Sequence, residues 1–367
     1  IVTITGKNGT VVYDGKSHEV TGFTTDAPKS VTVALKDGKE AKASGTDAET
    51  YQMGLTAKDF TVTSPNYSNI KVVVKDGSLT INPRQVTLTS ASDSKAYDGT
   101  PLTRPEVTIT GDGFVEGEAT AKATGSVTNV SESPVTNSIE IKKAEAYKDS
   151  NYQIKKSEGK LSITPVTDEV TVTITENSGS AKYDGIEHSV TGYVVKSISN
   201  TLYKETDYTF SGKAEVKGTD AGSYDMELKA EDFTNNNINF ANVTFEIEDG
   251  TLTISKRQVT LTSASDSKAY DGTALTNKKV TVGGDGFAEG EGASYDVTGS
   301  QTYVGSSKNT FTYTLNGSTV KRSRMLKAKA ATPETKASNY VITKEYGTLT
   351  VTDENVTGVV TKTHEGE

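Results

Sequence analysis

At 367 residues, with 39 basic and 48 acidic side chains and a net charge of −9, the chain is long for one domain of about 100 to 200 residues and has no overall attraction for phosphate backbones, which argues against nucleic acid. It has no Cys and no Trp, so disulfides, thiolate metal sites, Cys nucleophiles and thioester crosslinks are excluded. No apolar run reaches the roughly 18 residues needed to cross a bilayer and no basic-then-apolar leader opens the chain, so the expectation is a soluble segment whose export signal and anchor, if exported, lie outside it.

In chain order, the first elements alternate apolar and polar residues: Val2/Ile4, then Val31/Val33/Leu35, each interleaved mostly with Thr, Ser or Ala. Such a period of two marks half-buried strands. Between them Tyr13-Asp14-Gly15 is followed by His18 and by Val20-Thr21-Gly22, and the stretch closes on Asn66-Tyr67 and Gly77-Ser78-Leu79-Thr80-Ile81. After Asn82-Pro83 a second stretch starts with Val86/Leu88, turns at Tyr97-Asp98-Gly99-Thr100, continues through Val107/Ile109 and Gly111-Asp112-Gly113-Phe114, and ends on Asn151-Tyr152 and Gly159-Lys160-Leu161-Ser162-Ile163. A third stretch, opened by Val170/Val172/Ile174, has Tyr183-Asp184-Gly185, His188, Asn239-Phe240 and Gly250-Thr251-Leu252-Thr253-Ile254. The fourth has Tyr270-Asp271-Gly272, Gly284-Asp285-Gly286-Phe287, Asn339-Tyr340 and Gly347-Thr348-Leu349-Thr350-Val351.

These stretches are copies. Residues 84–100 recur without change at 257–273, an offset of 173, and Tyr51, Asp59-Phe60 and the Gly-Asp-Gly-Phe turn recur at the same offset. The Tyr-Asp-Gly turns divide each large repeat again, at spacings of 84, 86 and 87. Self-similarity of this kind reads as a modular array. The expected modules are 1–83 (type A), 84–167 (type B), 168–256 (type A) and 257–353 (type B), with a polar tail at 354–367. Type A carries Tyr-Asp-Gly-x-x-His-x-Val-Thr-Gly; type B carries Tyr-Asp-Gly-Thr-x-Leu and the Gly-Asp-Gly-Phe turn.

Turn residues every eight to twelve positions, with no sustained 3.6-residue apolar face, predict an all-β chain: four tandem Ig-like β-sandwich modules of six or seven strands each, in an elongated A-B-A-B array. A β-grasp-like module is the alternative. Junctions such as Ile81-Asn82-Pro83-Arg84 and Ile163-Thr164-Pro165-Val166 lack the Gly/Ser length of flexible spacers and read as stiff.

Tyr-Asp-Gly early, Asn-Tyr-x-Ile late and a Gly-x-Leu-Thr-Ile end, four times over, resemble the tandem YDG and MBG-type repeats of bacterial surface and adhesin-like proteins. The resemblance implies an extracellular setting, secreted or attached to the bacterial cell wall, and a stalk or adhesive role. It carries over no catalytic residue, cofactor or metal. The partner it implies is a host or matrix glycoprotein or another surface protein, with the chain itself monomeric. A dedicated module gripping a mucin glycoprotein or an immunoglobulin is the rival reading, and a carbohydrate-active enzyme the third.

The candidate chemistry is sparse. His18 and His188 occupy the same place in the two A modules, but a single His per module is a poor ligand set and reads as structural. Asp112, Glu116 and Glu118, matched by Asp285, Glu289 and Glu291, offer oxygen ligands to Ca²⁺ without the spacing of an EF-hand loop, and read as turn and solvated carboxylates. Tyr13, Tyr97, Tyr183 and Tyr270 read as structural anchors, each beside an Asp-Gly turn. Intramolecular isopeptide bonds have no recognisable flanking motif here. The one large break in repeat symmetry is fourteen extra residues in the fourth module, where Lys142–Ser150 is replaced by Asn316–Ser338. They open on Asn316-Gly317, a hairpin signal, and carry Lys321, Arg322, Arg324, Lys327 and Lys329, the candidate partner-binding residues, since insertions in repeat folds are loops and loops carry binding.

Overall fold

The computed structural model describes residues 1–317 and 333–353. The chain is all-β. Among the described residues helical structure is limited to three-residue 3-10 turns, so the β-grasp alternative, which needs a helix across its sheet, is set aside. The chain divides into two compact units, one of residues 1–168 with 237–242, the other of 169–236 with 243–367.

The first module shows the plan. Its strands are β1 (Val2–Gly6), β2 (Gly9–Val12), β3 (His18–Thr21), β4 (Phe23–Thr25), β5 (Thr32–Leu35), β6 (Lys42–Gly45), β7 (Thr50–Gln52), β8 (Phe60–Thr63), β9 (Val72–Lys75) and β10 (Ser78–Asn82). They form two three-stranded sheets, β4-β1-β9 and β2-β10-β7, with the pairs β3-β6 and β5-β8 beside them. The alternation Val2/Ile4 points inward, at 4% and 0% exposure, to meet Leu79 and Ile81 of the other sheet at 2% and 1%. Burying these side chains on facing sheets is the main apolar contribution to each thin core, at about 25 cal/mol per Å².

Ten short strands replace the six or seven expected because the first and last strands each serve both sheets. β1 runs parallel to β9, and β2 runs parallel to β10. The chain therefore bends between sheets at Gly6 and again at Asp76-Gly77, and the two bends touch. A Cβ on Gly77 would sit 2.5 Å from the Lys7 carbonyl oxygen. Only glycine fits such a backbone crossing, which is why every module ends on Gly-x-Leu. At Gly159, Gly250 and Gly347 the added carbon would likewise meet backbone at 2.4 Å. In the second module the bend is also pinned by polar contacts: the Ser90 hydroxyl accepts the Gly159 N–H at 3.0 Å and donates to the Asn137 carbonyl at 2.6 Å.

A tyrosine closes one corner of each type A module. Tyr51 lies over Gly45 and donates its hydroxyl to the Asp47 carbonyl at 2.9 Å; Tyr224 does the same over Gly218 to Asp220, at 2.8 Å. A tyrosine bonding back to the backbone a few residues upstream is a device of Ig-like sandwiches. One expected inward residue turns outward: Ile109, in the strand Val107–Gly111, is 42% exposed.

Candidate functional site

The Tyr-Asp-Gly turns are built as their residues suggest, with Gly15 and Gly99 at φ +78° and the Asp folding back on the turn. In type A, Asp14 Oδ1 accepts the Lys16 N–H at 2.9 Å and meets His18 Nε2 at 2.8 Å; Asp184 and His188 repeat the second contact. In type B a lysine takes the place of the histidine: Asp98 Oδ1 accepts Lys95 Nζ at 2.8 Å and the Thr100 N–H at 2.9 Å. The two signatures are thus two ways of neutralising the same turn carboxylate. The His18 ring and the Lys16 N–H hold the Asp14 carboxyl below its ordinary range, and the repeated histidines serve the turn.

The turn tyrosines do not all face their own module's core. Tyr13 and Tyr183 are buried, at 4% and 5% exposure, whereas Tyr97 and Tyr270 are half-buried. Tyr13 reaches into the second module, where its hydroxyl donates to Glu118 Oε1 at 2.7 Å. Tyr152 donates to the other oxygen of the same carboxylate at 2.8 Å while accepting the Val115 N–H at 3.1 Å. The two rings meet edge to face, 5.8 Å apart. Burial, reinforced by Glu118, pushes the Tyr13 hydroxyl well above the ordinary tyrosine range and burial pushes that of Tyr152 up to about 12.

Around this centre the joint is closed by hydrogen bonds. The Arg84 guanidinium, opening the second module, donates to the Tyr13 carbonyl at 3.0 Å, to the Gly113 carbonyl at 2.8 Å and to the Asp112 carbonyl. The Asp112 carboxylate accepts the Gln85 N–H at 2.8 Å. On the other side Asn151, fully buried, accepts the Ala48 N–H at 2.7 Å and donates to Asp47, whose second oxygen takes Lys148 Nζ at 2.7 Å. The second unit holds a copy. Tyr183 and Tyr340 both donate to Glu291 Oε2, at 2.9 and 3.0 Å, Arg257 spans the carbonyls of Tyr183, Gly286 and Asp285, and Asn339 bonds Ala221 and Asp220.

Glu118 and Glu291 are the residues that sequence reasoning misplaced. Read as solvated or Ca²⁺-facing, Glu118 is in fact 5% exposed and holds two tyrosines, while its companion Glu116 is exposed. Among the described residues no three of His, Cys, Asp and Glu converge as a metal site. The signal that marks these glutamates is their recurrence at the module offset behind the Gly-Asp-Gly-Phe turn. The basic residues Lys321, Arg322, Arg324, Lys327 and Lys329, and His364 in the tail, lie outside the described residues. The base of their insertion is described: Asn316 accepts the Thr335 N–H at 2.9 Å, and the Thr335 hydroxyl accepts the Gly292 N–H at 2.9 Å.

The surface hollows are lined by other groups. One of about 440 Å³ is bounded by Glu19, Phe23, Leu35, Lys39 and Lys42, and there Glu19 is already paired with Lys42 at 2.9 Å.

Residues 169–256 match the model of the MBG domain, a family of non-catalytic binding or structural modules. No curated protein matches the chain. Among solved structures it is similar to immunoglobulin domains 1–5 of Sidekick-1 (11% identity, 95% of this chain and 79% of that one, TM-score 0.21). It is similar also to the I9–I11 tandem of titin (10% identity, 69% and 99%, TM-score 0.19) and to the Bacillus anthracis TIE protein (11% identity, 95% and 74%, TM-score 0.20). Similarity at these scores brings no function with it. The MBG match, lying on the third module of a 173-residue internal repeat, makes this chain an MBG-type, Ig-like tandem-repeat protein.

Proposed function

We propose that the chain is a non-catalytic stalk and adhesive segment of a bacterial surface protein, extracellular, which projects and contributes to contact with a host or matrix glycoprotein. The observation that carries this reading is the joint between a type A and a type B module, built the same way in both units. A flexible tether has no use for a buried carboxylate held by two tyrosines and a guanidinium shared among three carbonyls; these contacts fix one module's orientation on the next. A carboxylate buried with matched donors costs little only while its partners stay in place, so the joint resists bending. The elaborate polar chemistry of the chain is spent at joints, whereas the hollows hold ion pairs of ordinary surface kind. The insertion at 321–329 supplies the adhesive element of the proposal, five cations on an otherwise acidic chain.

Small-angle scattering on the chain at low concentration tests the stalk. A module whose two-part edge strand runs from Val2 to Val12 measures up to about 35 Å at 3.3 Å per residue. Four in line give a radius of gyration of about 35 to 45 Å, against about 21 Å for a globule of this length. A value near the globular one would end the stalk reading.

A further inference from the structure

Three aromatic contacts in the chain share one pattern. Tyr13 meets Tyr152 at 5.8 Å, Tyr97 meets Phe240 at 5.6 Å and Tyr183 meets Tyr340 at 5.7 Å, all edge to face. Beside each, the Asn preceding the second aromatic docks on a three-residue loop beginning with Thr. Asn151 accepts the Ala48 N–H of Thr46-Asp47-Ala48, Asn239 accepts the Val130 N–H of Thr128-Asn129-Val130, and Asn339 accepts the Ala221 N–H of Thr219-Asp220-Ala221, at 2.7, 2.8 and 2.7 Å. In each case the same Asn donates from Nδ2 to the middle residue of the loop. The rule has two halves: a receiving face, made of a Tyr-Asp-Gly tyrosine and a Thr-x-Ala/Val loop, and an inserted Asn-aromatic pair.

The type B version is complete within the first unit. Segment 237–242 caps the second module there, Phe240 is 2% exposed, and Tyr97 and Val130 lie against the buried Leu102, Val127, Leu161 and Ile163. The fourth module carries the same receiving face with nothing described on it. Tyr270 lies against Leu275, Leu349 and Val351, and the loop is Thr302-Tyr303-Val304, with Tyr303 74% and Val304 53% exposed. The first module carries the matching insert, likewise uncovered. Asn66-Tyr67 stands ten residues before Gly77, as Asn239-Phe240 stands before Gly250, and Tyr67 is 55% exposed beside a hollow of about 160 Å³ lined by Ile1, Pro28, Val31 and Ile70. Its loop is preformed: the Asn66 N–H is held by Ser64 Oγ at 3.1 Å, as the Asn239 N–H is held by Asn237 Oδ1 at 2.9 Å.

We propose that these two faces bind each other between copies of the chain, Asn66-Tyr67 of one copy inserting against Tyr270, Tyr303 and Val304 of the next, so that the chain associates head to tail. Within one chain the type B contact gains from covalent connection, which supplies an effective concentration in the millimolar range. Between free chains the small patch alone gives a weak interface, and the expected monomer at dilution becomes an open-ended series as concentration rises, because a heterologous contact that does not close propagates. The occupant is argued from the chain's own completed copy of this contact.

Sedimentation equilibrium of the 38.9 kDa chain, from about 20 μM to about 2 mM, a range suited to millimolar affinity, reads the result. The weight-average mass should rise with concentration. Asn66→Ala with Tyr67→Ser should abolish the rise, and so should Tyr303→Glu with Val304→Glu; all four side chains are exposed, and circular dichroism checks that each double variant stays folded. Mixed together, the two double variants each retain one intact face and should form a heterodimer and nothing larger. A chain monomeric throughout the range overturns the proposal, as does association that survives either double variant, or a mixture that stays monomeric. A chain ending at Asp353 should associate like the whole; association by the shortened chain alone would name residues 354–367 as the occupant and overturn the proposal. Scattering at dilution tests the stalk separately, so either can fail without the other.

Discussion

Removing one hydroxyl at the buried carboxylate tests the joint most directly. In Tyr13→Phe the ring keeps its edge contact with Tyr152, 5.8 Å away, while Glu118 Oε1 loses the donor that sat 2.7 Å from it. A hydrogen bond to a charged group contributes about 1.5 to 3 kcal/mol, and at 5% exposure Glu118 has little water to replace it. Tyr152→Phe removes the other donor, at 2.8 Å. The pair of changes does not simply add. Once both donors are gone the carboxyl can take up a proton, which from an ordinary Glu pKa near 4.3 costs about 3.7 kcal/mol at pH 7 and sets a ceiling on the penalty for leaving it charged. The readout must isolate the joint from the modules on either side. The Ala48 amide does so, because its hydrogen bond runs across the joint to Asn151 Oδ1. At about 1.4 kcal/mol per tenfold, Tyr13→Phe should speed exchange of that amide by roughly 10- to 150-fold, with the amides of β1 unchanged. An Ala48 exchange rate within twofold of the parent in both single variants would refute the claim that the Tyr-Glu-Tyr cluster holds the joint.

The same cluster gives a pH dependence. Burial pushes the hydroxyls of Tyr152 and Tyr340 up to about 12, whereas an unfolded tyrosine titrates near 10, so above that pH the folded chain keeps protons that the unfolded chain releases. Their contribution is therefore fully present below about pH 10 and is lost as pH rises through about 12; urea midpoints should fall across that window, and a flat profile would contradict it. Cutting Gly317 to Ala330 should leave the fourth module folded, because Asn316 and Thr335 are already bonded at 2.9 Å and residues 331–334 can close the hairpin. Adhesion to acidic glycoproteins should drop with the five cations, and equal binding before and after the cut would return the segment to a plain loop.

The modules and their strands were readable because they depend on local chemistry. The 17-residue identity, the alternation around Val2 and Ile4, and an Asp-Gly that places glycine at positive φ all act within a few residues. What the tyrosines and glutamates touch was not readable, because it depends on partners far away in sequence. Tyr13 and Glu118 are 105 residues apart, and Tyr183 and Glu291 are 108. A glutamate behind a turn has the same composition and neighbours in sequence whether it faces water or two phenols. Ile109 failed in the opposite sense: alternation names two faces without saying which is covered, and here the apolar one is 42% exposed. Recurrence was the available clue. Residues that repeat at the module offset while their neighbours vary serve either the core or the joint, and in this chain Glu118, Arg84 and Asn151 serve the joint.

The alternation of A and B follows from what each face demands. The face of a type A module offers Tyr13, its carbonyl and Asp47, and the second module answers with Glu118, Arg84 and Asn151. A type A module in that position has no guanidinium to give. Arg84 lies six residues before Ser90, the bend that Gly159 crosses; six before Glu176, the bend that Gly250 crosses, is Val170. Arg84→Val therefore tests the order itself, by giving the second module the type A residue. It leaves the carbonyls of Tyr13, Asp112 and Gly113 without their shared donor. Bonds to a charged donor contribute about 1.5 to 3 kcal/mol each in isolation, but the half-buried site admits water, so the net loss should be about 2 to 3 kcal/mol. The joint should open while both sandwiches persist. Denaturation of the first unit, followed residue by residue, should then separate into two transitions where the parent chain shows one. A single transition at the parent midpoint would mean that apolar contact alone holds the modules, and that the arginine opening each B module has no part in setting their order.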